Sequence, residues 1–333
     1  ILRENNLPEV PVYNNTEVLA GIEFLRVTAY NLRKPLVLFL GVGSNDGSHD
    51  GYGITSGYLT SLASKGGSIY VTGTGNQGNS EGHVSGLIEN VGEVETVELY
   101  VPMELKVFTL YIWIRKPNRV ALSIVSPTGE ETGFLVNQII TAIERNFYSI
   151  DTHVQVRVYD PEYLTGHQLF TLRFNDIKPG IWKFKLRGSL IFDGRYDIWL
   201  ECKEIIPEGM KFFKSSANTT LAIPSTARNN ISVAYYNGKT EAVMAESGRG
   251  FNANGYIKPD IATVGTNVLT ISRDGSRIIS VSGSSVATAI TAGVSALFLQ
   301  WSVINRNDIA VSSGKLRSLL IYSADRENEK IYP

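Results

Sequence analysis

A serine at the start of an apolar helix pattern and an asparagine in a glycine-rich loop are the residues whose types suggest chemistry. Ser285 lies in SGSSVATAITAG (282–293), and Asn76 lies in GTGNQG (73–78). A serine that attacks a carbonyl group needs hydrogen-bond donors where the oxyanion develops. An asparagine amide and the N–H groups of a helix N-terminus are such donors. Taken alone, however, such a serine is equally a common helix cap, and such an asparagine a common turn residue.

The composition excludes several classes of partner and covalent bond. The chain has 333 residues with a formal net charge of −1, which gives no electrostatic reason to expect binding to nucleic acid or to an anionic membrane surface. Cys202 is the only cysteine, so a disulfide within the chain is impossible, and its place in an alternating run predicts packing rather than reactivity. We see no unbroken apolar run of about 18 residues and expect no membrane-spanning helix.

The hydrophobic pattern changes twice along the chain. Residues 1–89 and 213–333 combine helical spacing with continuous apolar runs such as KPLVLFLGVG (34–43), which are typical of strands buried on both faces of a parallel sheet. Residues 90–212 alternate polar and apolar residues between turn signals, as antiparallel strands do. We therefore predict an α/β domain, formed by 1–89 and 213–333, with an all-β sandwich of jelly-roll type inserted at 90–212.

Three tryptophans lie within the alternating runs of the predicted sandwich: Trp113, Trp182 and Trp199. They could form an aromatic face for a ligand, but packing in the sandwich core is the interpretation that we favour, since large aromatic side chains dominate such cores.

Several motifs resemble those of the subtilisin-like serine proteases, and they occur in the family's order. GSSVATAITAG resembles the serine motif, YIKPDIATVGTNV (256–268) the lysine-proline-aspartate segment before it, and TGTGNQG (72–78) the loop with the oxyanion asparagine. LFLGVGS (38–44) resembles the strand that lines the substrate cleft. The chain departs from the family pattern at Ser284, Val264, Thr74–Gly75 and Gly41, and the last two departures fall in the cleft.

Within that family the chain is most similar to the Csp germination proteases of spore-forming Clostridia. The similarity rests on GNQGNSEGH (75–83), on Ala289 where most subtilases have proline, and on a sandwich between the asparagine loop and the serine motif. The resemblance implies a subtilisin-like parallel-sheet domain with an inserted jelly roll. It also implies a place in the bacterial endospore, in the coat or cortex region, and a protein substrate such as the zymogen of a cortex hydrolase.

Carried over by the resemblance, Ser285 is the nucleophile, and Asn76 together with the Ser285 backbone N–H donates to the oxyanion. Gly41, Val42, Gly43 and Gly75 contact an extended substrate. No cofactor is expected. Calcium, which many subtilases bind, would find its nearest candidate loop in SNDGSHDG (44–51), for which a polar turn is the better interpretation.

The family's aspartate and histidine motifs do not occur in this sequence. Its four histidines are His49, His83, His153 and His167, and we expect structural or surface roles for all of them. Either an upstream fragment of the same protein supplies both residues, or the protein is a pseudoprotease that binds and regulates a partner, such as another Csp-like protein. In both cases we expect residues 1–333 alone to be inactive on peptide bonds, and unstable unless the upstream fragment stays bound.

Overall fold

A computed structural model of the chain describes Asn5, Leu7, residues 10–135 and residues 142–325. The opening residues Ile-Leu-Arg-Glu and the closing Lys-Ile-Tyr-Pro lie outside this described part. The chain divides into two compact units. The α/β unit comprises Val12–Ser44, His49–Asn79 and Asn218–Pro333, and the β unit comprises Ile1–Pro11, Asn45–Ser48 and Ser80–Ala217.

A four-stranded parallel sheet forms the centre of the α/β unit, with the strand order β1-β2-β13-β14. Its strands are β1 (Leu36–Leu40), β2 (Ser68–Gly73), β13 (Ile231–Tyr236) and β14 (Ile261–Val264). The parallel sheet confirms the α/β class that the apolar runs predict. Strands β15 (Val268–Ile271) and β16 (Ile278–Val281) form a separate antiparallel pair.

Helices cover both faces of this parallel sheet. They are α1 (Asn15–Asn31), α2 (Ile54–Ala63), α3 (Ser284–Leu299) and α4 (Ser313–Ser323). On one face, Leu38, Leu40 and Tyr70 pack with residues of α1 and α2. On the other face, Ile69, Val71 and Val233 pack with residues of α3 and α4. This alternation along each strand explains why the strands of this sheet are apolar without a break.

The helix ends follow local sequence signals in two cases and depart from them in one. Asn14 caps α1 in a capping box with Glu17, and Ser312 caps α4 through the backbone N–H of Lys315. We expect α2 to close at the glycines Gly66 and Gly67, but it ends at Ala63, and Gly67 adopts a positive φ in the following turn.

Helix α3 continues into a π-helical turn, Gln300–Ile304. The combined segment Ser284–Ile304 is long and apolar enough to span a membrane by length and composition alone. It packs against all four strands of the parallel sheet. A helix in the core of a domain meets the same criteria of length and composition.

Two antiparallel sheets form the β unit, with orders β12-β4-β10-β6 and β3-β11-β5-β9-β8-β7. The strands are β3 (His83–Leu87), β4 (Val94–Val101), β5 (Leu105–Ile114), β6 (Arg119–Val125), β7 (Ile143–Phe147), β8 (Thr152–Tyr159), β9 (Gln168–Ile177), β10 (Gly180–Leu190), β11 (Arg195–Trp199) and β12 (Lys211–Phe212). Residues of both sheets share one buried hydrophobic cluster. The jelly-roll topology and the domain boundaries at 89/90 and 212/213 stay predictions.

The three tryptophans of the β unit are buried, as core packing requires. Trp182 is completely buried between Phe147 and Phe174, and its indole N–H donates to the Lys178 carbonyl at 2.9 Å. Trp199 stacks on His83 at 4.8 Å between ring centroids, and Trp113 lies edge-on to His167. Cys202 is also largely shielded, and burial raises the pKa of its thiol to about 12, which keeps the thiol protonated and inert.

Candidate active site

Ser285, Asn76 and the Gly41–Gly43 segment meet at the carboxyl end of the parallel sheet. Gly41 follows β1 directly, Asn76 lies three residues after β2, and Ser285 belongs to the first turn of α3. Open α/β sheets bind ligands in the crevice outside the carboxyl ends of their strands. The fold therefore brings together, in one place, residues that are more than 200 positions apart in the sequence.

The serine does not cap its helix. The N-cap of α3 is Gly283, which forms no side-chain cap and has a φ of 134° that only glycine adopts readily. The hydroxyl of Ser285 points away from the helix and donates to the Gly41 carbonyl oxygen at 3.0 Å. The capping interpretation is therefore wrong for Ser285. Its half-buried hydroxyl lies at the edge formed by the Gly41–Gly43 segment.

The amide of Asn76 is oriented by the same helix N-terminus. Its Oδ1 accepts from the backbone N–H of Ser284 at 3.0 Å. Because Oδ1 is engaged in this way, the Nδ2 group is the part of the amide that can donate to a ligand. The backbone N–H of Ser285, in the first turn of α3, also has no partner within the helix. The Asn76 Nδ2 group and the Ser285 N–H are therefore two donors available at the start of α3, and stabilisation of an oxyanion requires donors of this kind.

Glycines line the two backbone segments that flank the serine. Gly41, Val42 and Gly43 are exposed, and the carbonyl of Gly41 already accepts a hydrogen bond from Ser285. Gly75 has a φ of 82°. A β-carbon on Gly43 or on Gly75 would lie 3.0 or 2.7 Å, respectively, from the methyl group of Ala222. Neither Gly43 nor Gly75 can therefore carry a side chain without moving Ala222.

The lysine and aspartate of the YIKPDI motif brace the sheet. Lys258 is buried, and its Nζ donates to Asp260 Oδ2 at 2.6 Å and to the Asn230 carbonyl at 3.0 Å. Asp260 also accepts from the backbone N–H of Ser232 at 2.8 Å. Burial lowers the pKa of Lys258, and the neighbouring Asp260 carboxylate opposes that shift. These contacts join β13 to the start of β14 and so hold the segment that precedes the serine motif.

Each of the four histidines is engaged in a local contact. In the α/β unit, His49 is buried and its Nδ1 lies 2.8 Å from the Leu221 carbonyl oxygen. In the β unit, His83 pairs with Asp197 at 3.1 Å, His153 lies 2.6 Å from Glu144, and His167 accepts from the backbone N–H of Lys116. His49 and the neighbouring Asp50 bond to different groups. His49 Nδ1 lies near the Leu221 carbonyl oxygen, whereas Asp50 accepts from the Tyr52 N–H. None of these four contacts includes Ser285, so they do not provide it with a general base.

The described residues contain no group of three or more His, Cys, Asp or Glu side chains placed to hold a metal ion. In the loop 44–51, Asn45 Nδ2 donates to the Leu200 carbonyl at 3.1 Å, and Asp50 caps the following turn.

Comparisons with known proteins agree with this geometry. The subtilase family model (Peptidase S8) matches residues 207–332, which include Ser285. The solved structure of the Clostridium perfringens CspB protease superposes with a TM-score of 0.86 at 26% sequence identity, over 97% of this chain and 68% of that protein. The chain is thus similar to subtilases in the region that contains Ser285, and its fold is similar to that of the CspB protease.

Two other comparisons with known proteins are less informative. The prenylagaramide maturation protease PagA matches at 27% identity over 35% of this chain and 40% of its own, with a TM-score of 0.29 that is too low to support an argument. A search of curated proteins found no significant match.

Sequence reasoning did not single out Ala222, which lies between the two glycine segments of the subtilisin-like site. Its neighbours in LAIPST (221–226) form no recognisable motif. Only the three-dimensional arrangement shows that its methyl group adjoins Gly43 and Gly75.

Proposed function

We propose that the protein is a serine endopeptidase in which Ser285 is the nucleophile. The observation that carries the proposal is the joint placement of Ser285 at the N-terminus of α3 and of Asn76, whose amide is oriented by Ser284. Ser285 Oγ attacks the scissile carbonyl carbon, and its proton passes to a general base. The Asn76 Nδ2 and Ser285 N–H groups stabilise the oxyanion. The peptide C–N bond then breaks, the amine leaves with the proton, and water hydrolyses the resulting ester.

The general base and its carboxylate partner come from an upstream segment of the same protein. This part of the proposal rests on the family resemblance and on the engagement of all four histidines in other contacts. Loss of the triad serine or histidine lowers kcat about 10⁶-fold in subtilisin. We therefore expect residues 1–333 alone to show no measurable peptidase activity.

An apolar surface of the α/β unit supports a place for that upstream segment. The exposed side chains of α3 and its π-helical turn recur alternately four and three residues apart, and so form one stripe: Ile290, Val294, Leu297, Trp301 and Ile304. Strand β1 is also an edge of the parallel sheet. A stripe of this size beside an unpaired parallel edge is the kind of surface that a domain normally covers.

The substrate is a protein segment in extended conformation. Gly41, Val42 and Gly43 present exposed backbone at the end of an edge strand, where an extended peptide can add by hydrogen bonds. Through the Csp resemblance, we propose the zymogen of a spore cortex hydrolase as this substrate and the endospore as the location. The relative with a solved structure is described as a protease.

A second candidate is a pseudoprotease that binds a partner in germination signalling. It is favoured by one contact: the hydroxyl of Ser285 is bonded to the Gly41 carbonyl, an acceptor in the cleft, rather than to a base. The glycine at position 41, where the family has serine, points in the same direction.

Labelling with a fluorophosphonate separates the two candidates. The protein with its natural upstream sequence should be labelled at Ser285, and Ser285→Ala should abolish the label, whereas Ser284→Ala should retain it. Residues 1–333 alone should remain unlabelled. If the longer protein also remains unlabelled while a known subtilase reacts in parallel, the endopeptidase proposal is wrong and the binding protein is favoured.

A further inference from the structure

The side chain of Arg228 lies between two tyrosine rings at the surface of the α/β unit. Its guanidinium carbon is 4.6 Å from the centroid of the Tyr52 ring and 4.4 Å from that of the Tyr256 ring. Both distances are within about 6 Å, the range in which a cation is attracted to the face of an aromatic ring. The two tyrosines are each 42% exposed, so these three residues form an arginine stack that faces solvent.

The backbone that carries this arginine stack is held from several sides. The Arg228 N–H donates to Thr60 Oγ1 of α2 at 3.0 Å, and the Arg228 carbonyl oxygen accepts from Arg317. The Tyr52 N–H donates to Asp50 Oδ1 at 2.8 Å. Helix α2 covers the face of the parallel sheet opposite α3, so the stack is distinct from the site at Ser285.

The two loops that carry the tyrosines are also bonded to each other. Asn252 Nδ2 donates to the Asp50 carbonyl at 3.2 Å, and the Ala253 N–H donates to the His49 carbonyl at 2.9 Å. Asn252 Oδ1 accepts from the Tyr256 N–H at 2.9 Å. The backbone on both sides of the stack is therefore fixed before a ligand binds, and such preorganisation lowers the cost of binding.

No carboxylate among the described residues forms an ion pair with the guanidinium of Arg228. Its side-chain hydrogen bond runs from Nη2 to the Tyr52 hydroxyl, and its buried Nε has no partner in the part of the chain that the structure describes. Taking a charged group partly out of water costs free energy, and folded proteins normally offset this cost with an opposite charge. The stack thus holds a half-buried cation whose charge these residues do not neutralise.

The surface around the arginine stack is positively charged and apolar. Three chain segments carry the stack and its sequence neighbours: 49–57, 226–229 and 249–257. The carboxylate that they contain, Asp50, is 1% exposed, whereas Arg249 is exposed. Ile54 and Ile257, close to the two tyrosines in the sequence, are 63% and 69% exposed. This surface complements a ligand that combines negative charge with apolar groups.

We propose that the arginine stack binds a carboxylate side chain in an acidic, apolar peptide segment of a partner protein. A guanidinium is planar, and its two terminal nitrogens match the two oxygens of a carboxylate. Nη1 and the second N–H of Nη2 are the donors for these oxygens. The exposed isoleucines suit apolar residues on either side of the carboxylate. Arginine and tyrosine are also the residue types that dominate the binding energy of many protein interfaces.

Fluorescence anisotropy with a matched pair of peptides tests this proposal. The protein carries its natural upstream sequence and the substitution Ser285→Ala, so that the probes stay intact. The two labelled peptides, Gly-Leu-Glu-Leu-Gly and Gly-Leu-Gln-Leu-Gly, have blocked termini and differ only in the central carboxylate. We expect the Glu peptide to bind about tenfold more tightly, since hydrogen bonds between charged groups are stronger than those to a neutral amide.

Two variants and a matched control locate the binding site. Arg228→Gln should weaken binding of the Glu peptide about tenfold, to the affinity of the Gln peptide. Arg228→Lys should weaken it as well, because an ammonium group keeps the charge but lacks the planar pair of donors. Arg273→Gln removes the same charge from an exposed turn of the same unit and should leave the affinity unchanged.

Several results would overturn the proposal. Equal affinities of the Glu and Gln peptides, or no binding of either at millimolar concentration, would do so without any variant. An unchanged affinity in a folded Arg228→Gln protein, or an equal loss in Arg273→Gln, would show that the stack is not the site. A phosphoserine peptide that binds more than about tenfold tighter than the Glu peptide would assign the stack to phosphate instead. None of these measurements depends on Ser285 being a nucleophile.

Discussion

The β unit and the α/β unit differ in how the elements at the centre of their packing are covered. In the β unit, the inner faces of two sheets close on one shared cluster in which most side chains are almost fully buried. In the α/β unit, α3 lies at the centre of the packing and yet leaves a stripe exposed from Ile290 to Ile304, with Trp301 51% exposed. The central apolar cluster of the first unit is thus enclosed between strands, whereas the central helix of the second leaves one continuous apolar stripe uncovered in the described residues.

The largest expected effect contrasts one tryptophan of each unit. Trp182→Ala should lower the free energy of unfolding of the β unit by about 3–5 kcal/mol, because it leaves a cavity between Phe147 and Phe174. Trp301→Ala should change the stability of residues 1–333 by less than about 1 kcal/mol, since half of its surface is exposed. Urea unfolding measures both. Equal losses would show that the two units do not differ as described.

The next effect concerns catalysis in the α/β unit. Asn76→Ala, in the protein with its upstream sequence, should reduce kcat about 10²–10³-fold with little change in KM, as removal of one oxyanion donor does in subtilisin. Asn79→Ala, an exposed residue of the same loop, is the matched control and should keep full activity. A loss confined to KM would argue that Asn76 binds substrate and does not act on the oxyanion.

The β unit should respond to pH through Glu201, a half-buried carboxyl group. Burial, reinforced by the charge of Asp46, raises the pKa of Glu201 to about 7 from its ordinary value of 4.5. The folded state therefore holds this proton more tightly than the unfolded state. The resulting stabilisation is fully present below pH 4.5 and is lost as the pH rises through 7, by up to about 3 kcal/mol. Urea unfolding between pH 4.5 and 8 should show this decline, and Glu201→Gln should flatten it.

The smallest effect compares two serines at helix starts within the α/β unit. Ser312 caps α4 and accepts from the Lys315 N–H, so Ser312→Ala should cost about 1 kcal/mol of stability. Ser285 does not cap α3, and Ser285→Ala should leave the free energy of unfolding nearly unchanged while removing activity. Thermal and urea unfolding of both variants provide the measurement. A cost of about 1 kcal/mol for Ser285→Ala would return this residue to a capping role.

Much of this organisation could be predicted from local patterns. The apolar run 34–43 contains β1, the helical spacing of residues 17–31 predicts α1 to within two residues, and the alternating runs predict most strands of the β unit. The alternating pattern of residues 147–159 predicts one strand, but residues 148–151 turn the chain between β7 and β8. Ser149 and Asp151 in that stretch are turn formers that the surrounding apolar residues obscure.

The arrangement of the site could be predicted only in part. The motifs indicated which residues belong together, because a family pattern carries long-range information that single-chain periodicity does not contain. They could not indicate that the Ser285 hydroxyl donates to Gly41, or that Ala222 separates Gly43 from Gly75. Such contacts join positions far apart in the sequence, and they depend on strand order and register rather than on local propensity.

The position of the β unit in the chain has a consequence for the kinetics of folding. Strands β2 and β13 are hydrogen-bonded neighbours, although the whole of Ser80–Ala217 is synthesised between them. Parallel pairing across so long a connection is slow, because the chain loses loop entropy before the contact forms. A β unit that becomes ordered first would replace a long disordered connection by a short one. Its early collapse would thus accelerate the joining of the two halves of the sheet that carries Asn76.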